Sequence, residues 1–180
     1  MDGRTTMAAC YDYNLPSEWN QSVVNNQGFY IARFEVGEGI VSKQGAKVWN
    51  NYYTGTIRSS LSSKYTVENT EYGVVSTAIH GVHWDTALSF IMAYGGDEQY
   101  PGFLTDSTGY GNYSTGDDAM STSEPALCGA YPEFMQKNIY DMAGNVYEVT
   151  WEWTTISNGQ RPSIFRGGAY DRSRQFICSR

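Results

Sequence analysis

The sequence predicts an irregular α+β fold with short strands, one or two helices and long loops. Three observations carry this expectation. Fifteen Tyr, seven Phe and five Trp stand beside 19 Gly and only five Pro, a mixture of strand formers and turn formers. Thr86 to Tyr94 has apolar residues at helical spacing. The polar stretch from Asp97 to Ser123 has no periodicity, which inside a domain marks a long loop. At 180 residues, 41% hydrophobic and 17% charged, the chain suits one domain spanning residues 1–180 and can bury a core without staples.

Met1 to Asn26 is polar and turn-rich and reads as an N-terminal extension. Gly28 to Gly37 reads as a strand, apolar and bounded by Gly at both ends. After the turn at Gly37-Glu38-Gly39, Val41 to Trp49 reads as a second short strand. Thr56 to Lys64 carries a weak helical pattern on Ile57 and Leu61. Val74 to Ile79 is apolar and reads as a buried connector. The main helix follows at Thr86, with Trp84, Ala87, Leu88, Ile91 and Met92 on its core face. Asp85 is its expected N-cap and Gly95-Gly96 its end. Asp106 to Tyr113 and Asp117-Asp118 bring negative charge to the polar stretch without EF-hand spacing, so a solvated loop is expected there.

Composition and charge narrow the function. The net charge is −7 and no basic stripe is present, which argues against nucleic acid and against anionic membrane surfaces. No apolar run reaches the length of a membrane span, so no membrane insertion is expected. Met1 to Asn20 lacks the charged and apolar regions of a signal peptide. Cys10, Cys128 and Cys178 form no CxxC pair and no zinc spacing. Each reads as a small buried hydrophobe, with one disulfide among them left open. His80 and His83 stand without further visible ligands and are expected to be solvent-facing or structural rather than a metal pair. No GxSxG, P-loop or dinucleotide glycine pattern occurs.

The densest signal runs from Asn138 to Trp153. Gly144 permits a backbone geometry that a Cβ forbids. Val146, Tyr147 and Val149 supply a strand with Glu148 between them. Further on, Arg166 is able to fork onto a carboxylate such as Asp141 or Glu148, and Gly167-Gly168 lets two backbones approach. Asp141, Arg166 and the Gly pair are expected to be structural.

Asn138-Ile139-Tyr140-Asp141-Met142-Ala143-Gly144-Asn145-Val146-Tyr147-Glu148-Val149-Thr150 resembles the hallmark of the formylglycine-generating, sulfatase-modifying family, a branch of the C-type-lectin fold. The family has tryptophans where Tyr147 and Val149 stand here. Phe165-Arg166-Gly167-Gly168-Ala169-Tyr170 resembles its RGG motif. Weaker matches at Gly28 to Val36, Trp84 to Tyr94 and Ala130-Tyr131-Pro132 fall in the family's order, so the resemblance covers about Asn26 to Tyr170.

The resemblance implies an irregular C-type-lectin-like fold and calcium near the hallmark, with Asn145, the carbonyl of Val146 and Glu148 as ligands. Family enzymes oxidise a substrate cysteine with a pair of cysteines and copper shortly after the RGG motif. Here only Cys178 falls near that place, so copper is not expected and catalysis would rest on Cys178 if it occurred at all. Other relatives are variable proteins of diversity-generating retroelements or phage receptor-binding proteins.

The expected function is therefore non-catalytic binding of a cell-surface protein or glycan, at the virion or outside the cell. The face would be built by residues 154–180 with the tryptophans before them: Trp151, Trp153, Ser157, Asn158, Gln160, Tyr170, Asp171, Arg172 and Arg174. Tyr, Ser, Gly and Asn are the residues that binding loops favour. The alternatives are a copper-dependent oxidase of the family and a structural component of a virion or surface assembly, which would form a homo-oligomer.

Overall fold

The computed structural model describes residues 10–12, 17–37, 41–48, 67–69, 74–76, 79–93, 96–114, 124–154 and 163–172. They form an α+β mixture of few helices and short antiparallel strands. The expected helix at Thr56 to Lys64 lies outside the described residues.

The largest sheet has three strands in the order β1 (Cys10–Asp12), β8 (Glu148–Thr154) and β9 (Ser163–Arg166). Central β8 pairs Cys10 with Thr154 and Asp12 with Glu152 on one side, and Val149 with Phe165 on the other. An irregularity between Val149 and Trp153 bends it against β9. Within the segment read as an N-terminal extension, Cys10–Asp12 pairs with the main sheet. The segment's polar composition hides a three-residue edge strand, too short to leave a pattern. A helix, α1 (Ser17–Asn26), follows where turns were expected, and it ends as the Gly28 N–H donates to the Val23 carbonyl.

The strand expected over Gly28 to Gly37 shrinks to β2 (Val36–Gly37), paired with β3 (Val41–Ser42). The cause is local. The Ser42 hydroxyl donates to the Phe34 carbonyl at 2.8 Å and accepts from the Phe34 N–H at 3.3 Å, taking the place of a ladder partner. Of Val41 to Trp49, only β3 and a single bridge from Val48 to Gly37 are extended pairs among the described residues. Val74–Ser76 is strand β5, paired with β4 (Val67–Asn69).

The main helix, α2 (Gly81–Ala93), begins well before Thr86, and the His80 carbonyl accepts its first N–H groups. Asp85 therefore does not cap it. Gly81 opens the helix because the Glu152 carboxyl occupies the space a Cβ would need. Trp84, Ala87, Leu88 and Ile91 point into the core, as their spacing requires, with Phe103, Tyr113, Ile139, Met142 and Ala143 packed on them. Each such side chain contributes roughly 1.5–3 kcal/mol by leaving water. The helix ends at Ala93, just before Gly95-Gly96, and Gly96 opens a separate four-residue helix, α3 (Gly96–Gln99).

The polar stretch after it is more ordered than expected. A 3-10 turn at Ser107–Tyr110 is capped by Asp106, whose Oδ1 accepts from the Thr108 N–H and hydroxyl. Phe103, Ser107, Asn112 and Tyr113 are all buried. A second 3-10 turn (Pro132–Phe134) leads to the hairpin β6 (Met135–Gln136) and β7 (Ile139–Tyr140). Lys137 and Asn138 form its two-residue turn, both at positive φ as a type I′ turn demands.

Candidate functional site

The site is built where the loop after β7 meets the start of β8 and the end of β9. Asp141 and Asn145 adopt φ of 57° and 58°, a left-handed geometry that Asp and Asn tolerate better than most residues. Gly144 between them has φ 71°, and the Asn112 backbone fills the space where its Cβ would stand. Gly144 pairs with Asn112 in a parallel bridge and donates its N–H to the Gly167 carbonyl at 2.9 Å. The buried Tyr113 hydroxyl also donates to that carbonyl, at 2.9 Å.

Asn145 is fully buried and all four of its side-chain hydrogen-bonding positions are used. Its Oδ1 accepts from the Ala126 N–H at 2.7 Å and from Asn112 Nδ2 at 3.3 Å. Its Nδ2 donates to Glu35 Oε2 at 2.5 Å and to the Ala126 carbonyl at 3.3 Å. Its backbone N–H donates to Asn112, and its carbonyl accepts from Tyr170. One residue thus joins four distant segments.

Three acidic groups gather around it. Burial raises the Glu35 carboxyl well above its ordinary value, and the charge of Asp141 adds to this. Hydrogen bonds from Asn145, from the Val146 N–H and from Glu148 pull it back. Burial raises Glu148 too, reinforced by the Glu35 charge. Glu35 receives donors from three sides, while Glu148 Oε2 is buried without a hydrogen-bond partner, against Gly167. The proton of the pair therefore sits on Glu148. Asp141 is raised to about 6 by burial, although the Gly129 N–H donates to it at 2.8 Å. The Cys128 thiol is pushed up to about 12, first by burial and then by the nearby Glu35 and Asp141 charges. A thiol so placed is a poor thiolate and a poor soft-metal ligand.

Arg166 does not neutralise this cluster. The sequence suggested a fork onto Asp141 or Glu148, but the guanidinium turns elsewhere. There it meets Glu152 at 2.7 Å and Asp85 at 3.2 Å. Arg166 lies opposite Glu148 in register, yet the Glu148 carboxyl turns toward Gly167. Arg166 and Glu152 are both buried, and Thr150 Oγ1 lies 3.2 Å from the same Glu152 oxygen. Glu35, Glu152 and Asn112 carry these arrangements without having stood out in the sequence. For Glu35 the available signal was its place at the end of the segment matching the family's early strand.

The resemblance named Asn145, the Val146 carbonyl and Glu148 as calcium ligands. Glu148 offers a buried free oxygen, whereas Asn145 Oδ1 is already spent on two donors. Among the described residues no group of three or more His, Cys, Asp or Glu side chains is arranged to hold a metal ion.

Of the expected binding residues, Tyr170 is half-buried, and Asp171 and Arg172 are exposed and form a 3.6 Å ion pair. Their turn is pinned, since the Tyr170 N–H donates to Asn145, Arg172 N–H to Ala169, and Ser114 N–H to the Arg172 carbonyl. Trp151 is half-buried and stacks on His80 at 6.1 Å, away from that turn in sequence and held to Ile79 through its backbone. His80 is buried, and His83 packs against it and against Phe29 at 4.4 Å. Trp153 pairs through its backbone with Tyr11 and Ser163 at the far end of the β8–β9 hairpin. Ser157, Asn158, Gln160, Arg174 and Cys178 lie outside the described residues.

No helix among the described residues is long and apolar enough to cross a membrane. Comparison with protein-family models, with curated proteins and with solved structures finds no match in any of the three.

Proposed function

We propose that this chain is a non-catalytic binding module with a C-type-lectin-like fold of the formylglycine-generating type. Its ligand is a cell-surface protein or glycan, met from a virion or an extracellular surface. One observation carries the reading. Asp141, Asn145, Thr150 and Arg166 of the hallmark and RGG segments are buried and hydrogen-bonded within the protein, and the turn Tyr170-Asp171-Arg172, exposed at Asp171 and Arg172, hangs from Asn145 through the Tyr170 N–H. That is the arrangement of a rigid scaffold supporting a recognition segment. The ligand face would be this turn with the rest of residues 154–180.

The test is a broad screen of glycans and host-cell surfaces with the intact protein, followed by the Tyr170→Ala and Arg172→Ala variants. We expect a ligand whose affinity falls about tenfold or more in at least one variant, the usual size for a central contact. Absence of any ligand across the screen would sink the proposal.

Calcium is part of this proposal in altered form. Two buried, facing carboxyls with no protein cation between them among the described residues suit a hard cation, and Glu35 would serve in place of the Asn145 amide. Calcium titration by calorimetry, with Glu148→Gln as the control, decides it. Stoichiometric uptake lost in the variant supports the site, and no uptake leaves the shared proton as its occupant.

A further inference from the structure

Arg33 is an exposed cation held still. Its guanidinium lies 5.5 Å from the Phe34 ring centroid and 5.5 Å from that of Tyr140, and the two rings are 5.0 Å apart. Its Nη2 also approaches Met135 Sδ at 3.8 Å. The platform beneath is fixed. The Arg33 carbonyl accepts from the Tyr140 N–H, Tyr140 pairs with Met135 in the hairpin, and Gly129 packs flat under both rings, where a Cβ would strike Phe34. Gly129 is itself tied by Asp141 and Gln44.

An exposed arginine normally either wanders in solvent or pairs with a carboxylate. Among the described residues no carboxylate pairs with Arg33, although the chain carries 19 acidic residues. Its side-chain freedom has already been given up to the aromatic stack, so the entropy cost of gripping a ligand is reduced. The planar donors that remain match the two oxygens of a carboxylate.

We infer that Arg33, on its Phe34–Tyr140 platform, is a recognition point for a single carboxylate on an otherwise uncharged ligand, an acidic sugar. The net charge of −7 repels polyanions, which leaves ligands of low charge density. The choice of a sugar rests on the binding-module reading above.

The experiment uses the whole protein with the methyl glycoside of glucuronic acid and with its methyl ester, which keeps the shape and removes the charge. The Arg33 Nε–Hε resonance, assigned by its loss in Arg33→Gln, is followed by NMR. Saturable shifts with the acid and none with the ester are expected. Arg33→Gln and Arg33→Lys should each weaken binding about tenfold, the lysine because it keeps the charge but lacks the fork. Near-UV circular dichroism checks that the variants fold. Equal response to the ester, no response to the acid, or unchanged affinity in Arg33→Gln overturns the inference. A glutamate-containing neutral-bodied peptide that binds as well as the saccharide overturns the sugar assignment. If the surface screen finds a ligand that Arg33→Gln binds unchanged, this inference falls while the binding-module reading stands.

Discussion

Arg166 carries its charge into a buried place where it meets Glu152 and, at the rim, Asp85. Removing the guanidinium breaks a buried ion pair, a loss of about 3–5 kcal/mol. Arg166→Ala should therefore lower the denaturant midpoint severely. The pair Arg166→Met with Glu152→Gln should cost less than the single change, which equilibrium unfolding can measure. The RGG motif made Arg166 conspicuous in the sequence, but not its partner. Which carboxylate the arginine meets depends on the strand geometry, and the irregularity between Val149 and Trp153 leaves no sequence trace.

Elements here are short, so glycines decide where they touch. At Gly111 a Cβ would run into the Ala143 carbonyl, which belongs to backbone and cannot turn aside. Gly111→Ala should cost about 3 kcal/mol or more, and Gly109→Ala, with open space around it, within about 0.5 kcal/mol. Thermal unfolding of the two variants tests this contrast. The same shortness limited what the sequence disclosed. The core face of α2 was legible because thirteen residues repeat a period. Its start was not, since His80 caps it through a backbone carbonyl that any residue has. Two- and three-residue strands such as β1 and β2 are chosen by partners far along the chain, and Gly28 to Glu35 looked extended only by composition.

For the molecule as a whole, the buried carboxyls set a pH dependence. Glu35, Asp141 and Glu148 hold their protons more tightly folded than unfolded, so folding takes up protons. The stability they contribute is complete below the ordinary carboxylate range. It is lost as pH rises, through about 6 for Asp141 and through the raised range of the Glu35–Glu148 pair. Without added calcium, the protein should therefore unfold at a higher temperature near pH 5 than at pH 7.5, and Glu148→Gln should flatten the difference. A midpoint that instead rises with pH would contradict the shared proton. Asn145 and Glu148 stood out in the sequence, but Glu35 could not, because it lies 110 residues from the amide it meets.

That separation bears on how the chain acquires its structure. Asn145 makes hydrogen bonds to Glu35, Asn112, Ala126 and Tyr170, so its environment is complete only when contacts across most of the sequence have closed. Loop closure over such spans is slow, and topologies rich in long-range contacts fold slowly. The hairpin at Lys137-Asn138 and the helix α2 can form early from local contacts. The hydrogen bonds at Asn145 are expected to close after them, and until they do the Tyr170 N–H lacks the carbonyl it donates to.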